Sequence, residues 1–132
     1  MFYQDSDVNS MLIVAVGGAV GSVFRYLVGV WAVRLFGPAF PWGTLAINIT
    51  GSFAIGLFLE MILRRFGGST ELRLLLMTGL CGGFTTFSSF SLDFVGLVER
   101  GAIQMGIVYV IASVVLSILA TFLGLFIGRM AF

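Results

Sequence analysis

An all-α membrane protein of four transmembrane helices is the fold class this sequence predicts, and three observations predict it. Of 132 residues, 59% are hydrophobic and only 10% are charged, too little charge to cover a soluble domain. The mean hydropathy is +1.12. Four apolar runs, each near the roughly 20 residues that cross a bilayer, are separated by short turn-forming stretches. The whole chain, 1–132, reads as a single domain.

The first helix is expected over about 11–33, interrupted by one charge, Arg25. Ahead of it, "MFYQDSDVNS" carries Asp5 and Asp7 and no basic residue. A cleaved leader starts positively charged, so the first apolar run is expected to stay in the membrane. "FGPAFPWG" leads into a second helix over 42–63, "RRFGGSTELR" into a third over 72–98, and "ERG" into a fourth over 102–127. Connections this short alternate the helix directions and bring both termini to one side. Trp31 and Trp42 flank the first loop, and amphipathic rings favour the membrane interface. All seven basic residues are arginine. Arg64, Arg65, Arg73 and Arg129 fall on the side of the termini, Arg34 and Arg100 on the other. Four against two is a weak orienting bias, so insertion in both directions is expected. Four short helices enclose a pathway poorly, which points to a dimer, and an inverted pair supplies a two-fold axis in the membrane plane.

Composition also excludes. A net charge of +1 points away from nucleic acid. Histidine is absent, and with it the commonest proton shuttle and metal ligand. Cys81 is the single cysteine, so it forms no intrachain disulfide or thiolate cluster. No nucleotide motif or catalytic dyad is visible, and an enzyme is not expected.

Polar groups at bilayer depth usually face a cavity, a partner or a pathway. The densest set lies in "CGGFTTFSSFS", from Cys81 to Ser91, and the third helix is expected to break over 82–91. Adjacent glycines weaken a helix, and a broken helix exposes carbonyls to cations and N–H groups to anions. The competing reading is a plain kink with hydroxyls bonded to the preceding turn. Phe87 and Phe90 share one face, with Ser88 and Ser89 between them. Ring edges are positive and attract an anion without the trap a full charge makes; packing is the alternative. Asn48 lies mid-way along the second helix, with Thr44 and Ser52 on its face, and offers two donors to an anion or to a neighbouring helix. Arg25 draws anions into a vestibule, or else pairs with Glu60 or Asp93. On the fourth helix Tyr109, Ser113, Ser117 and Thr121 follow at four-residue steps and form one hydroxyl stripe. Gly17, Gly21, Gly51 and Gly56 allow close helix approach, within the chain or between copies.

"GGFTTFSSFS", with "GTLAINITGS" on the preceding helix and an arginine in the first, resembles the Fluc (CrcB) fluoride channels. The likeness runs over nearly the whole chain and includes "PWGTL" and the "ERG" turn. It implies an antiparallel, dual-topology homodimer in the cell (inner) membrane of a bacterium or archaeon, exporting fluoride passively through two pores. It implies that Phe87, Phe90 and Asn48 line those pores, with Ser88 and Ser89 beside them. The polar track would be Tyr109, Ser113, Ser117 and Thr121, with Arg25 at a vestibule. It further implies a structural Na+ held by the backbone carbonyls of Gly82 and Thr85 from both subunits. Ser89 stands where threonine is frequent in the family and keeps the hydroxyl; Asp93 stands where glutamate is frequent. Two rivals differ in class. A small proton-coupled multidrug exporter needs a titratable carboxylate in the membrane, typically on the first helix, where this chain has Arg25. A scaffold subunit has no use for aligned hydroxyls and phenylalanines beside a glycine pair. Residue chemistry without the resemblance stops at an anion pathway with a bound cation.

Overall fold

The computed structural model describes residues 5–132. The reading of the first residues as an uncleaved segment lies partly outside them. Helix α1 is Asp5–Phe36 and α2 is Trp42–Arg65. A helical run over 70–84 forms α3, Phe87–Glu99 forms α4, and Ile103–Ala131 forms α5. Four spans, Asp7–Phe36, Trp42–Arg65, Thr70–Glu99 and Ile103–Ala131, are long and apolar enough to cross a membrane.

The helices overrun the lengths expected from hydropathy, because the bilayer limits only their apolar part. Acidic residues begin α1, and arginines occupy the last turns of α1, α2 and α5; both placements suit the helix dipole. Ser69 caps α3, its hydroxyl accepting the Leu72 N–H at 3.3 Å. Gly37 and Gly101 follow helix ends at φ of 77° and 78°, left-handed values that glycine adopts without strain.

Glycines set the packing. A Cβ on Gly17 would strike the Leu75 carbonyl, and one on Gly21 the Leu80 carbonyl. A Cβ on Gly83 would come within 2.9 Å of the Gly18 Cα. Residue numbers rise together along both helices, so α1 and α3 run parallel. The same holds for α2 and α5: Gly124 lies on the Phe53 carbonyl, Gly56 faces the Leu125 N–H, and Gly128 faces the Glu60 side chain. Gly43 against Ala32 and Gly106 against Phe94 mark antiparallel neighbours. Directions alternate as expected, and the close approaches of the glycines are intramolecular.

The two ends of the bundle are tied differently. At the end where the chain terminates, Glu60 is buried and accepts the Arg129 Nε at 2.8 Å and the Arg64 Nε at 2.9 Å. At the other end Arg100 donates to the Ala39 carbonyl at 3.2 Å. The arginines therefore divide between the ends as the loop positions indicate. Phe40, Phe90 and Phe94 pack around buried Leu45, Leu97 and Tyr109.

The third span departs from regular helix in two ways. Arg73–Cys81 is wound as π-helix, a wider winding that sequence periodicity does not reveal. Thr85 and Thr86 then leave helical geometry altogether, at φ, ψ of −77°, 158° and −152°, 123°. The irregular stretch expected over 82–91 is thus confined to two threonines. Gly82 and Gly83 are helical, and 88–91 belong to α4. Gly83 lets α1 approach, and the missing Cβ of Gly51 on α2 makes room for the Thr85 methyl. Backbone proximity, rather than local flexibility, is what these glycines supply.

Adding a methyl at Gly124, against the Phe53 carbonyl, overpacks the α2–α5 seam. Gly124→Ala should lower stability by about 1–3 kcal/mol in a denaturation series in detergent. Gly96→Ala, where a Cβ meets nothing within 4 Å, should leave it unchanged or raise it slightly.

Candidate ion pathway

The site is organised by one side chain on α2. Asn48 reaches across to the interruption of the third span and makes two hydrogen bonds with the backbone of a single residue, Thr86. Its Oδ1 accepts the Thr86 N–H at 2.8 Å, and its Nδ2 donates to the Thr86 carbonyl at 3.0 Å. The amide thus behaves as a strand neighbour would, and the N–H it must accept fixes which way it is turned. Two N–H groups sit on Nδ2, and one remains beyond this pair.

Thr86 in turn caps α4: its Oγ1 accepts the Ser89 N–H at 3.1 Å. It is buried. Thr85 turns its hydroxyl back to the Cys81 carbonyl at 2.8 Å, where its own N–H also bonds at 2.9 Å. Hydroxyl back-bonding recurs at Ser91 to Phe87 and at Thr121 to Ser117. In a continuous helix the Gly82 carbonyl would accept the N–H of Thr86, and the Thr85 carbonyl that of Ser89. Both donors are engaged elsewhere.

Beside this junction lies a cavity of about 380 Å³. Asn48 and Ser52 from α2, Phe87 and Phe90 from α4, and Ser113 and Ser117 from α5 line it. Gly82, Thr85 and Thr86 complete the wall. The Ser113 and Ser117 hydroxyls are buried, and neither has a hydrogen-bond partner among the described residues. Buried polar atoms are nearly always paired, so an orphan pair on one wall calls for an explanation. The Phe87 and Phe90 rings are tilted against each other with centroids 5.4 Å apart. Phe87 is 78% exposed, so its ring stands at the open margin of the cavity.

Other expected site residues lie elsewhere. Tyr109 is fully buried, donates to Asp93 Oδ2 at 3.0 Å and stacks near Phe90 at 5.2 Å. It and Thr121, whose hydroxyl bonds within its own helix, do not line the cavity that Ser113 and Ser117 share. Ser88 is exposed, its hydroxyl 3.4 Å from that of Thr86. Ser89 lines a second hollow of about 550 Å³ with Arg25, Arg34 and Thr44. Glu60 is engaged by Arg64 and Arg129, and Asp93 by Tyr109, so Arg25 pairs with neither acid. Thr86 lines both hollows and stands between them.

Thr86 and Arg34 escaped the sequence reading. Thr86 carried a signal, a threonine just ahead of a resuming apolar helix with Ser89 three residues on. Arg34 carried none, because its place on the same hollow as Arg25 depends on how α1 faces the junction.

The family model described as CrcB-like protein, Camphor Resistance (CrcB), matches residues 12–125. The chain is 62% identical over 123 residues to the fluoride-specific ion channel FluC of Agrobacterium fabrum, covering 93% of this chain and 98% of that protein. It is 63% identical over 118 residues to the protein of the same name from Rhizobium etli (strain ATCC 51251), covering 89% and 94%. With that of Rhizobium meliloti identity is 54% over 121 residues, covering 92% and 97%. A family match over so much of the sequence, and relatives this similar almost end to end, make the chain a member of the CrcB family and a multi-pass membrane protein.

Proposed function

We propose that this chain is a fluoride channel, working as an antiparallel homodimer with two pores, and that the cavity bounded by Asn48, Phe87, Phe90, Ser113 and Ser117 is part of each pore. The observation that carries the reading is the pair of unpartnered hydroxyls, Ser113 and Ser117, in the cavity that the phenylalanines also line. A hydroxyl turns its O–H toward an anion and replaces part of its hydration shell. Ring edges and one spare amide N–H add weak, uncharged donors. Such a path holds an anion and still releases it. Arg25 and Arg34 put positive charge in the adjoining hollow, which raises the local anion concentration.

The same geometry supports a second copy. The polar cavity is open beside an exposed Phe87, and hydrocarbon cannot satisfy hydroxyls. A partner surface would close it. The small arginine asymmetry favours insertion both ways, which an inverted dimer needs. The carbonyls of Gly82 and Thr85, deprived of their helical donors, suit a hard monovalent cation such as Na+, which binds oxygen and needs neither thiolate nor imidazole. Bound there, Na+ would supply positive charge between two anion paths.

The physiology follows from weak-acid chemistry. HF crosses a bilayer and dissociates inside, and a passive pore lets the trapped anion leave down its gradient. The exporter alternative finds no support in the relatives' names, and Glu60, bridged by two arginines near the end of α2, is not the isolated carboxylate that proton coupling uses.

Liposomes containing the purified chain alone should release trapped fluoride without an imposed proton gradient. No release, or release only with a proton gradient, would overturn the reading. Phe87→Ile and Phe90→Ile keep bulk but remove the ring quadrupole; each should cut the flux by about tenfold or more, the effect of roughly 1.4 kcal/mol, while gel filtration still shows a dimer. Phe84→Leu, altering a ring that packs over Gly51, should change flux less. Single cysteines placed in the loop over 66–69 should label from both sides of the membrane in one population of cells. Labelling from one side only would rule out dual topology.

A further inference from the structure

We infer that Asn48 and Thr86 are positioning residues for the cation seat, and that they act by drawing two backbone N–H groups out of the helix so that the Gly82 and Thr85 carbonyls stay open. The inference rests on the cation reading proposed above and assigns Asn48 a task distinct from contact with the anion.

Two donors are held by side chains. Thr86 N–H, the helical donor for Gly82, goes to Asn48 Oδ1 at 2.8 Å. Ser89 N–H, the helical donor for Thr85, goes to Thr86 Oγ1 at 3.1 Å. The carbonyls at the two ends of the interruption are filled. Cys81 receives both the N–H and the hydroxyl of Thr85, and Thr86 receives Asn48 Nδ2. The Asn48 and Thr86 side chains thus take the helical donors of two carbonyls three residues apart, within a stretch bounded by the filled carbonyls of Cys81 and Thr86. An α-helix would otherwise close this gap, because an unpaired carbonyl at bilayer depth is costly. Thr85 also packs its methyl where Gly51 has no Cβ, which holds the extended segment against α2 within reach of Asn48.

Each link is separable by substitution. Asn48→Leu keeps the bulk but removes the acceptor, and the Thr86 N–H returns to Gly82. Asn48→Asp keeps an acceptor for that N–H, loses the donor and adds a negative charge. Thr86→Val removes the cap and returns the Ser89 N–H to Thr85, whereas Thr86→Ser keeps the hydroxyl.

Equilibrium binding of radiolabelled sodium to the purified protein in detergent, in N-methylglucamine buffer without fluoride, tests the inference. Wild type, Asn48→Asp and Thr86→Ser should bind comparably. Asn48→Leu and Thr86→Val should bind at least about tenfold more weakly, the effect of losing one buried hydrogen bond, with helical content by circular dichroism preserved. Asn48→Asp should nevertheless lose fluoride flux, since a carboxylate beside the path repels the anion, so flux and cation binding separate at one position. If Asn48→Leu fails to fold, the Thr86→Val and Thr86→Ser pair decides. Wild-type binding matched by both Asn48→Leu and Thr86→Val would overturn the positioning roles and leave the cation reading standing. No binding by wild type would overturn the cation reading and this inference with it.

Discussion

The two hydrogen bonds between Asn48 and the Thr86 backbone are the constraint on which the rest of the site depends. They join residues 38 positions apart and give Thr86, in an extended dipeptide placed among transmembrane helices, partners for both its backbone groups. Without them the backbone at this depth has no water to turn to. With them, α4 restarts under its own threonine cap, and Phe87 and Phe90 line the same cavity as Ser113 and Ser117. The polarity of the segment is therefore mostly consumed in holding its shape.

Close backbone contact is what brings Asn48 within reach. Lipid tails are as apolar as leucine, so burial of apolar surface does little to drive helices together in a membrane, and small residues that let backbones touch do more. Gly17, Gly21 and Gly83 bind α3 to α1; Gly56 and Gly124 bind α2 to α5; Gly51 admits Thr85. Much of the remaining surface is exposed leucine, isoleucine, valine and phenylalanine, suited to lipid or to a second copy.

Charge is kept to the margins. Glu60 is neutralised by two arginines at one end, while Arg25 and Arg34 flank a hollow that adjoins the polar cavity through Thr86. Within the cavity itself the donors are neutral hydroxyls and amides. A pathway for a strongly hydrated anion benefits from this division. In the proposed pore, full charge would concentrate the ion nearby, and dipoles would pass it on without binding it fast.

Hydropathy and turn chemistry alone determined four spans, their alternation and the separation of the arginines, because the bilayer imposes a length and a polarity that any one segment displays by itself. Asn48, Phe87, Phe90, Ser113 and Ser117 were likewise legible, since polar or periodic residues inside an apolar run stand out locally. Their grouping was not. The four-residue hydroxyl stripe of α5 treats Tyr109, Ser113, Ser117 and Thr121 alike, yet Tyr109 is taken by Asp93 and Thr121 by its own helix. The glycine pair at 82–83 looked like the cause of a broken helix; the glycines remain helical and the two threonines after them do not. Helical winding, the partner of Asn48 and the choice of which hydroxyls stay free depend on residues far apart in the chain meeting at one depth. Only tertiary packing decides that, because a hydrogen bond across 38 positions leaves no periodicity in the sequence on either side of it.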